Sequence, residues 1–319
     1  MGFGPRFADF DADGKPDMIS GSYTKSLTFF KGLGDGKFAE GKPITKKDGK
    51  PLSADYAQTP CLGDWDGDGD YDIAMGVIMG PVKLFRNNGD MTFGDGEEFK
   101  LDGKPIHAPD GGPCIVDWDG DGILDLLLGD DTGNVSFYKG TANGSIDLAV
   151  DKDNALVIPM QKQADAWKSR KLDPSSPTGF SPAKPGARTK PYAADWNGDG
   201  KLDLLVGDYI QLEKPAPKLS ADEQKKLKRL EAQQEELKRK MSICQQRLGN
   251  AALKSLDKKK FSELEQSQMG AYGKAYQKEA QRDKEYQRVI KKSSSLYPEI
   301  AKLKPPAEGT GVVWVYLRK

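Results

Sequence analysis

The sequence predicts an all-β fold: a β-propeller of four recognisable four-stranded blade repeats, with an inserted antiparallel α-helical coiled-coil hairpin. Three observations predict it. The same nine-residue acidic loop is written four times, at 9–17, 64–72, 117–125 and 195–203. A proline stands four residues before each loop (Pro5, Pro60, Pro113, Pro191) and a glycine four residues after it (Gly21, Gly76, Gly129, Gly207). From 220 to 248 glycine is nearly absent, and Lys, Arg, Glu, Gln and Leu dominate. The first two are self-similarity in a fixed frame, the mark of a repeat architecture. The third marks a helical insertion.

Each loop offers oxygen side chains in a fixed pattern. Position 1 is Asp9, Asp64, Asp117 or Asp195, and position 3 is Asp11, Asp66, Asp119 or Asn197. Position 5 is Asp13, Asp68, Asp121 or Asp199, and position 9 is Asp17, Asp72, Asp125 or Asp203. Position 6 is always glycine (Gly14, Gly69, Gly122, Gly200), as a sharp turn through positive φ requires. Position 7 (Lys15, Asp70, Ile123, Lys201) varies freely, as expected where only a backbone carbonyl is used. An all-oxygen cage of this kind suits a hard cation, calcium rather than zinc or copper, with up to four Ca2+ ions in the chain. The alternative is an ordinary Asp-Gly hairpin turn. A turn alone gives no reason for the distant ninth-position Asp, and clustered carboxylates without a cation repel one another.

An EF-hand is excluded. Its twelfth position needs a bidentate Glu, but Ser20, Met75, Leu128 and Val206 stand there. The flanks (Cys114-Ile115-Val116, Leu126-Leu127-Leu128) read as strands, so each loop is a hairpin turn. A third strand follows at 27–30, 82–85, 135–138 and 313–316, and an outer one is expected at 37–44, 92–101 and 145–158. One unit is then a meander of roughly 50 residues, the size of a propeller blade, which stacks on its neighbours in a ring. The chain opens inside the first strand of its first unit and stops after the third strand of its fourth. Four units make either a whole ring or part of a larger one.

These residues, with Asp-Trp-Asp-Gly-Asp-Gly at 64–69 and 117–122 and Asp-Trp-Asn-Gly-Asp-Gly at 195–200, resemble the FG-GAP/VCBS repeat family of integrin-alpha-like propellers. The resemblance covers about 1–159, 187–211 and 309–319. It implies a β-propeller with calcium on the hairpin between the first two strands of each blade. It implies no particular ligand or activity.

Two regions follow from this pattern, repeats at 1–217 and 305–319 and the hairpin at 218–304. Ser220 and Glu223 form a capping-box signature for a helix start. Leu227, Leu230, Gln234, Leu237, Met241, Cys244 and Leu248 follow the 3-and-4 spacing of a coiled-coil seam. Gly249-Asn250 is expected to end that helix. A second helix is expected over 258–293, with Phe261, Leu264, Tyr272, Tyr276, Tyr286 and Ile290 inward. The hairpin carries 22 Lys and Arg against 12 Asp and Glu, a net of +10; the remainder carries 26 against 36, a net of −10. Four divalent ions would nearly neutralise the repeats.

The insertion joins the second and third strands of the fourth unit, and the long excursion at 160–190 leads into that unit. In a meander both lie opposite the acidic loops, which makes that face the expected ligand surface. Trp167, Arg170, Arg188 and Tyr209 are its candidate residues. Trp65, Trp118 and Trp196 are expected to pack between blades, and Cys61 and Cys114 to lie on the innermost strands, as free thiols or as a bridge.

No stretch is apolar enough for a transmembrane helix, and no signal peptide is visible. The calcium loops favour an extracellular or periplasmic place, where calcium is plentiful. Basic residues alternate with acidic ones and no reader motif occurs, so nucleic acid is not an expected partner. The single histidine, His107, gives no catalytic set. The expected function is a non-enzymatic calcium-binding module for a protein or polysaccharide ligand. The alternatives are a propeller-type lyase or glycosidase acting on polysaccharide, and an architectural protein that oligomerises through the hairpin.

Overall fold

In the computed structural model the described residues are 4–22, 26–52, 58–78, 80–150, 156–158, 169–172, 175, 180–181, 184–214, 217–263 and 268–318. The chain divides into two compact units, 1–212 with 308–319, and 213–307.

The first unit is β-rich. Three of its sheets are four-stranded antiparallel meanders. They run Arg6–Ala8, Asp17–Ser20, Thr28–Phe30, Lys42–Pro43; then Thr59–Gly63, Asp72–Gly76, Lys83–Phe85, Glu97–Glu98; then Pro113–Val116, Asp125–Gly129, Val135–Tyr138, Leu156–Ile158. The fourth sheet is built on Asp203–Leu212, flanked by Ala187–Ala194 and Val313–Tyr316. Glu308–Thr310 and the parallel Ser169–Leu172 extend its far end. The outer strands are only two or three residues long, shorter than the windows in which they were expected. The rest of those windows joins neighbouring repeats instead. Thr92–Phe93 pairs in parallel with Thr45–Lys46, and Lys100–Leu101 with Asp147–Leu148.

Alternation along the strands decides where the core lies. Ile73 and Met75 point into a core shared with Phe10, Ile19 and Leu27 of the first sheet. Ala74, between them, joins a second core with Leu126 and Leu128 of the third sheet. Leu127 in turn faces Leu204, Val206 and Trp314 of the fourth. Both faces of a central strand are therefore buried, which is why these strands are uniformly apolar rather than alternating. Each fully buried Leu or Ile contributes about 1.5–3 kcal/mol of transfer free energy.

The glycine after each loop has a steric cause. A Cβ on Gly21 would stand 2.0 Å from Gln58 O, and one on Gly129 2.1 Å from Thr189 O. On Gly76 it would meet Gly111 O at 3.2 Å. In each case the obstacle is the approach to the next repeat's inner strand. Gly207 is different: the nearest described atom is Lys190 O at 3.9 Å, in its own sheet.

Among the described residues the second unit holds three α-helices, α1 (Ala221–Lys254), α2 (Met269–Arg282) and α3 (Lys284–Leu303). The capping box forms as the sequence requires, with Ser220 and Glu223 bonded reciprocally. The expected seam positions of α1 are buried or half-buried, Leu230, Cys244 and Leu248 most fully, and α1 packs along α2 and α3. Two expectations are corrected. Gly249-Asn250 does not end α1, which continues to Lys254. Burial of Ala252 and Leu253 outweighs a glycine penalty of about 1 kcal/mol. Nor is the second arm one helix over 258–293. It breaks at Asp283, which caps α3 by accepting from Tyr286 N at 2.9 Å and pairs with Arg247 at 2.6 Å. Leu264 lies outside the described residues.

Candidate metal centres in the acidic turns

The four loops share one backbone design. The first-position carboxylate accepts the N–H groups of positions 5 and 6: Asp9 from Asp13 and Gly14, Asp64 from Asp68 and Gly69, Asp117 from Asp121 and Gly122, Asp195 from Asp199 and Gly200. The fifth-position carboxylate accepts from position 7, whether that residue is Lys15, Asp70, Ile123 or Lys201. These bonds hold the turn and orient the acids. Position 6 takes φ of +83°, +96°, +87° and +84° at Gly14, Gly69, Gly122 and Gly200. Position 4 is also left-handed, including Ala12 at +56°, a strain the sequence did not announce.

This geometry brings carboxylate oxygens of Asp9, Asp11 and Asp13 within 4.8 Å of one another; the same holds for Asp64, Asp66 and Asp68, and for Asp117, Asp119 and Asp125. Such triads can hold a metal ion. A further observation fits one. Asp11 Oδ1 and Asp66 Oδ1 are buried and have no hydrogen-bond partner among the described residues, an arrangement that costs about 1–3 kcal/mol per atom if nothing coordinates it. In the fourth loop Asn197 replaces the third carboxylate, and its amide donates to Asp199 at 3.1 Å.

The ninth-position aspartates have a task that sequence reasoning missed. Asp17, Asp72, Asp125 and Asp203 are buried beneath their loops. One oxygen accepts from position 2 (Phe10, Trp65, Trp118 or Trp196). The other accepts from the residue leaving the third strand, Gly32, Asn87, Gly140 or Arg318. Each therefore pins the turn to the sheet. Burial drives the Asp72 carboxyl up to about 6 and raises that of Asp125.

A basic side chain also reaches three of the loops. Lys31 pairs with Asp11 and, at 2.9 Å, with Asp13. Arg86 pairs with Asp66 at 2.9 Å. Lys139 pairs with Asp119 and, at 2.6 Å, with Asp121. Each basic residue lies 20 positions after the third-position Asp, a spacing that could have revealed the pairing. The equivalent residue in the fourth unit is Leu317, where position 3 is Asn197. The two charges are thus present together or absent together. Lys139→Met is expected to lower ion-free stability and to raise the calcium affinity of the third loop, since it removes a tethered competitor. Melting with and without calcium checks this: a loss of stability that calcium does not restore would make the lysine the loop's own counter-ion.

The proposed ligand residues fare unevenly. Arg188 and Tyr209 come together, the guanidinium lying 5.5 Å from the ring centroid, and both line one cavity. Arg170 is buried and donates to Pro185 O at 3.0 Å, within the sheet's extension. Trp167 lies outside the described residues. Trp65 packs between the second and third sheets and Trp118 against the third core, but Trp196 is 63% exposed, which corrects its expected packing role. No neighbouring sheet among the described residues covers it. Cys61 and Cys114 are free and buried. The neighbouring Cys61 thiol together with burial pushes the Cys114 thiol up.

Comparison with known families agrees with this geometry. Residues 9–75 and 64–128 each match the FG-GAP-like repeat. Over residues 9–128 the chain is similar to FG-GAP-like repeats. Such repeats imply a propeller-like, β-rich fold, and the matched span holds the first three acidic turns in full. The fourth turn lies beyond the FG-GAP match yet keeps the same bonds at positions 1, 5 and 9. No curated protein matches the chain. Among the described residues no helix is long and apolar enough to cross a membrane.

Proposed function

We propose that this chain is a non-enzymatic, calcium-stabilised propeller module that binds a protein or glycan outside the cell or in the periplasm. The four sheets act as four blades, in a ring of their own or within a larger one. Residues 1–217 and 305–319 form this scaffold, and 218–304 form a coiled-coil arm for a partner contact or self-association, its net positive charge suiting an acidic partner. The observation that carries the reading is the recurrence of one carboxylate turn, with buried unpartnered oxygens in two copies. The oxygens at positions 1, 3, 5 and 9 of each loop would hold the ion, with the ninth-position aspartates also bracing the cage, and the carbonyls of Lys15, Asp70, Ile123 and Lys201 are available to complete it. When bound, calcium would offset the repulsion among these acids and stabilise the folded state by mass action. The millimolar calcium outside cells suits weak sites of this kind.

Melting of the full chain with and without a chelator tests the reading. Removal of calcium is expected to lower the midpoint by at least about 5 °C, since each kcal/mol is worth about 2–4 °C in a domain of this size. An unchanged midpoint contradicts it.

A further inference from the structure

The ends of the sheets opposite the acidic turns enclose a cavity of about 740 Å³. All four units meet there. The residue before each proline, Gly4, Thr59, Gly112 or Lys190, lies in or just before an inner strand at this end. A Cβ on Gly112 would stand 2.5 Å from Lys190 Cδ and 3.1 Å from Thr59 Cγ2, and one on Gly4 3.5 Å from Thr59 Cγ2. The four inner strands therefore converge within one side chain's reach.

The charges on this cavity do not cancel. Arg6, Arg188 and Lys190 line it, against Asp110 and Asp208. Asp110 is spent on Arg188. Asp208 is spent on the backbone N–H of Val312 at 3.1 Å and the indole of Trp314 at 2.7 Å, and burial raises its carboxyl. Arg6 and Lys190 have no carboxylate within ion-pair distance among the described residues. Arg6 Nε donates to Pro60 O at 2.9 Å, and Lys190 Nζ to Asp110 O at 2.6 Å. The Arg6 guanidinium also lies over the Tyr192 ring, 5.8 Å from its centroid; none of these contacts supplies a counter-charge, so both partly desolvated cations retain demand for an anion. Arg188 is held at φ +59°, beside a register shift between Ala187 and Lys190. A strained non-glycine backbone beside a bulge costs about 1–3 kcal/mol, and such strain clusters at binding sites.

We propose that this cavity binds a uronic acid residue of an acidic polysaccharide, its carboxylate held between Arg6 and Lys190. The volume falls within the range of about 300–1,000 Å³ typical of small-molecule sites. A lone carboxylate from a peptide side chain would leave most of it empty, whereas a run of two or more sugar rings can occupy much of it. Gly309, Thr310 and Gly311 line the cavity beside the Tyr209 ring, an aromatic face against which a sugar ring can stack. Burial draws the Lys190 amine down to about 8, with Asp110 opposing that shift and Arg188 and Arg6 reinforcing it. Carboxylate binding then weakens as pH rises through about 8, because the ammonium is lost. This assignment rests on the glycan branch of the proposed function and names its ligand class.

Calorimetric titration of the full chain in calcium tests it, with digalacturonate, its methyl ester and a short polyglutamate peptide as probes. Digalacturonate is expected to bind at least about tenfold more tightly than its ester, which keeps the rings and removes the charge. Arg6→Gln and Lys190→Gln should each weaken it about tenfold, and Lys190→Gln should abolish the fall in affinity near pH 8. Equal binding of acid and ester, or no binding of either at millimolar concentration, overturns the proposal. Binding of the peptide without the sugar acid overturns it too, as to source. The probe comparison uses the unaltered protein, so a variant that fails to fold does not shield the claim. Where calcium still raises the melting midpoint but digalacturonate does not bind, this inference falls and the metal reading stands.

Discussion

Asp125→Ala is expected to destabilise the protein by about 3–5 kcal/mol, in chelator as well as in calcium. Asp125 is fully buried. Its Oδ2 accepts from Trp118 N at 2.8 Å and Asp119 N at 3.3 Å, and its Oδ1 from Gly140 N at 2.8 Å. Alanine leaves these donors facing a void, and each buried unsatisfied donor costs about 1–3 kcal/mol. A carboxylate suits the place because it only accepts. Asp125→Asn would turn one amide N–H toward a donor and is expected to cost less, since one oxygen remains. Chemical denaturation with and without chelator separates the two tasks of this residue. A loss seen only in calcium would mean that Asp125 acts as a ligand alone and that the bracing bonds count for little.

The second large effect is a contrast between two glycines in the same repeat position. Gly129→Ala would put a Cβ 2.1 Å from Thr189 O, 2.6 Å from its carbonyl carbon and 2.8 Å from Oγ1. Backbone cannot swing aside as a flexible side chain can, so the inner strands must separate. Overpacking of this kind costs about 1–3 kcal/mol and more where backbone must move. Gly207→Ala meets nothing closer than 3.9 Å among the described atoms and should change stability by less than about 0.5 kcal/mol. Similar losses from both substitutions would show that the glycines serve local backbone freedom rather than the stacking of one repeat on the next.

Much of this was legible in the sequence because it is local and written four times. The acidic turn, the strands beside it and the glycine that follows each lie within about twenty residues, so four copies expose the frame. What was hidden depends on partners far along the chain. From sequence alone only a metal gives the ninth-position Asp a reason. Its other partner is an N–H 15 residues on at Gly32, Asn87 and Gly140, and 115 residues on at Arg318. The outer strands were placed only broadly, because edge pairing is set by neighbouring repeats rather than by alternation. The extension of α1 past Gly249 follows from burial of Leu253, which no propensity foretells. Arg188 and Tyr209 stand out in the sequence as candidates near a ligand face, whereas nothing in it marks Arg6 and Lys190. Convergence of four inner strands is what places them at one cavity.

The central claim is that the recurrent aspartates form cages for a hard divalent ion. Calorimetric titration of calcium into chelator-stripped full-length protein tests it most directly. Binding of more than one and up to four ions per chain is expected, with about one ion lost on Asp117→Ala and the others retained. A flat titration, with Asp117→Ala indistinguishable from the unaltered chain, would contradict it and leave Lys31, Arg86 and Lys139 as the only cations these turns require.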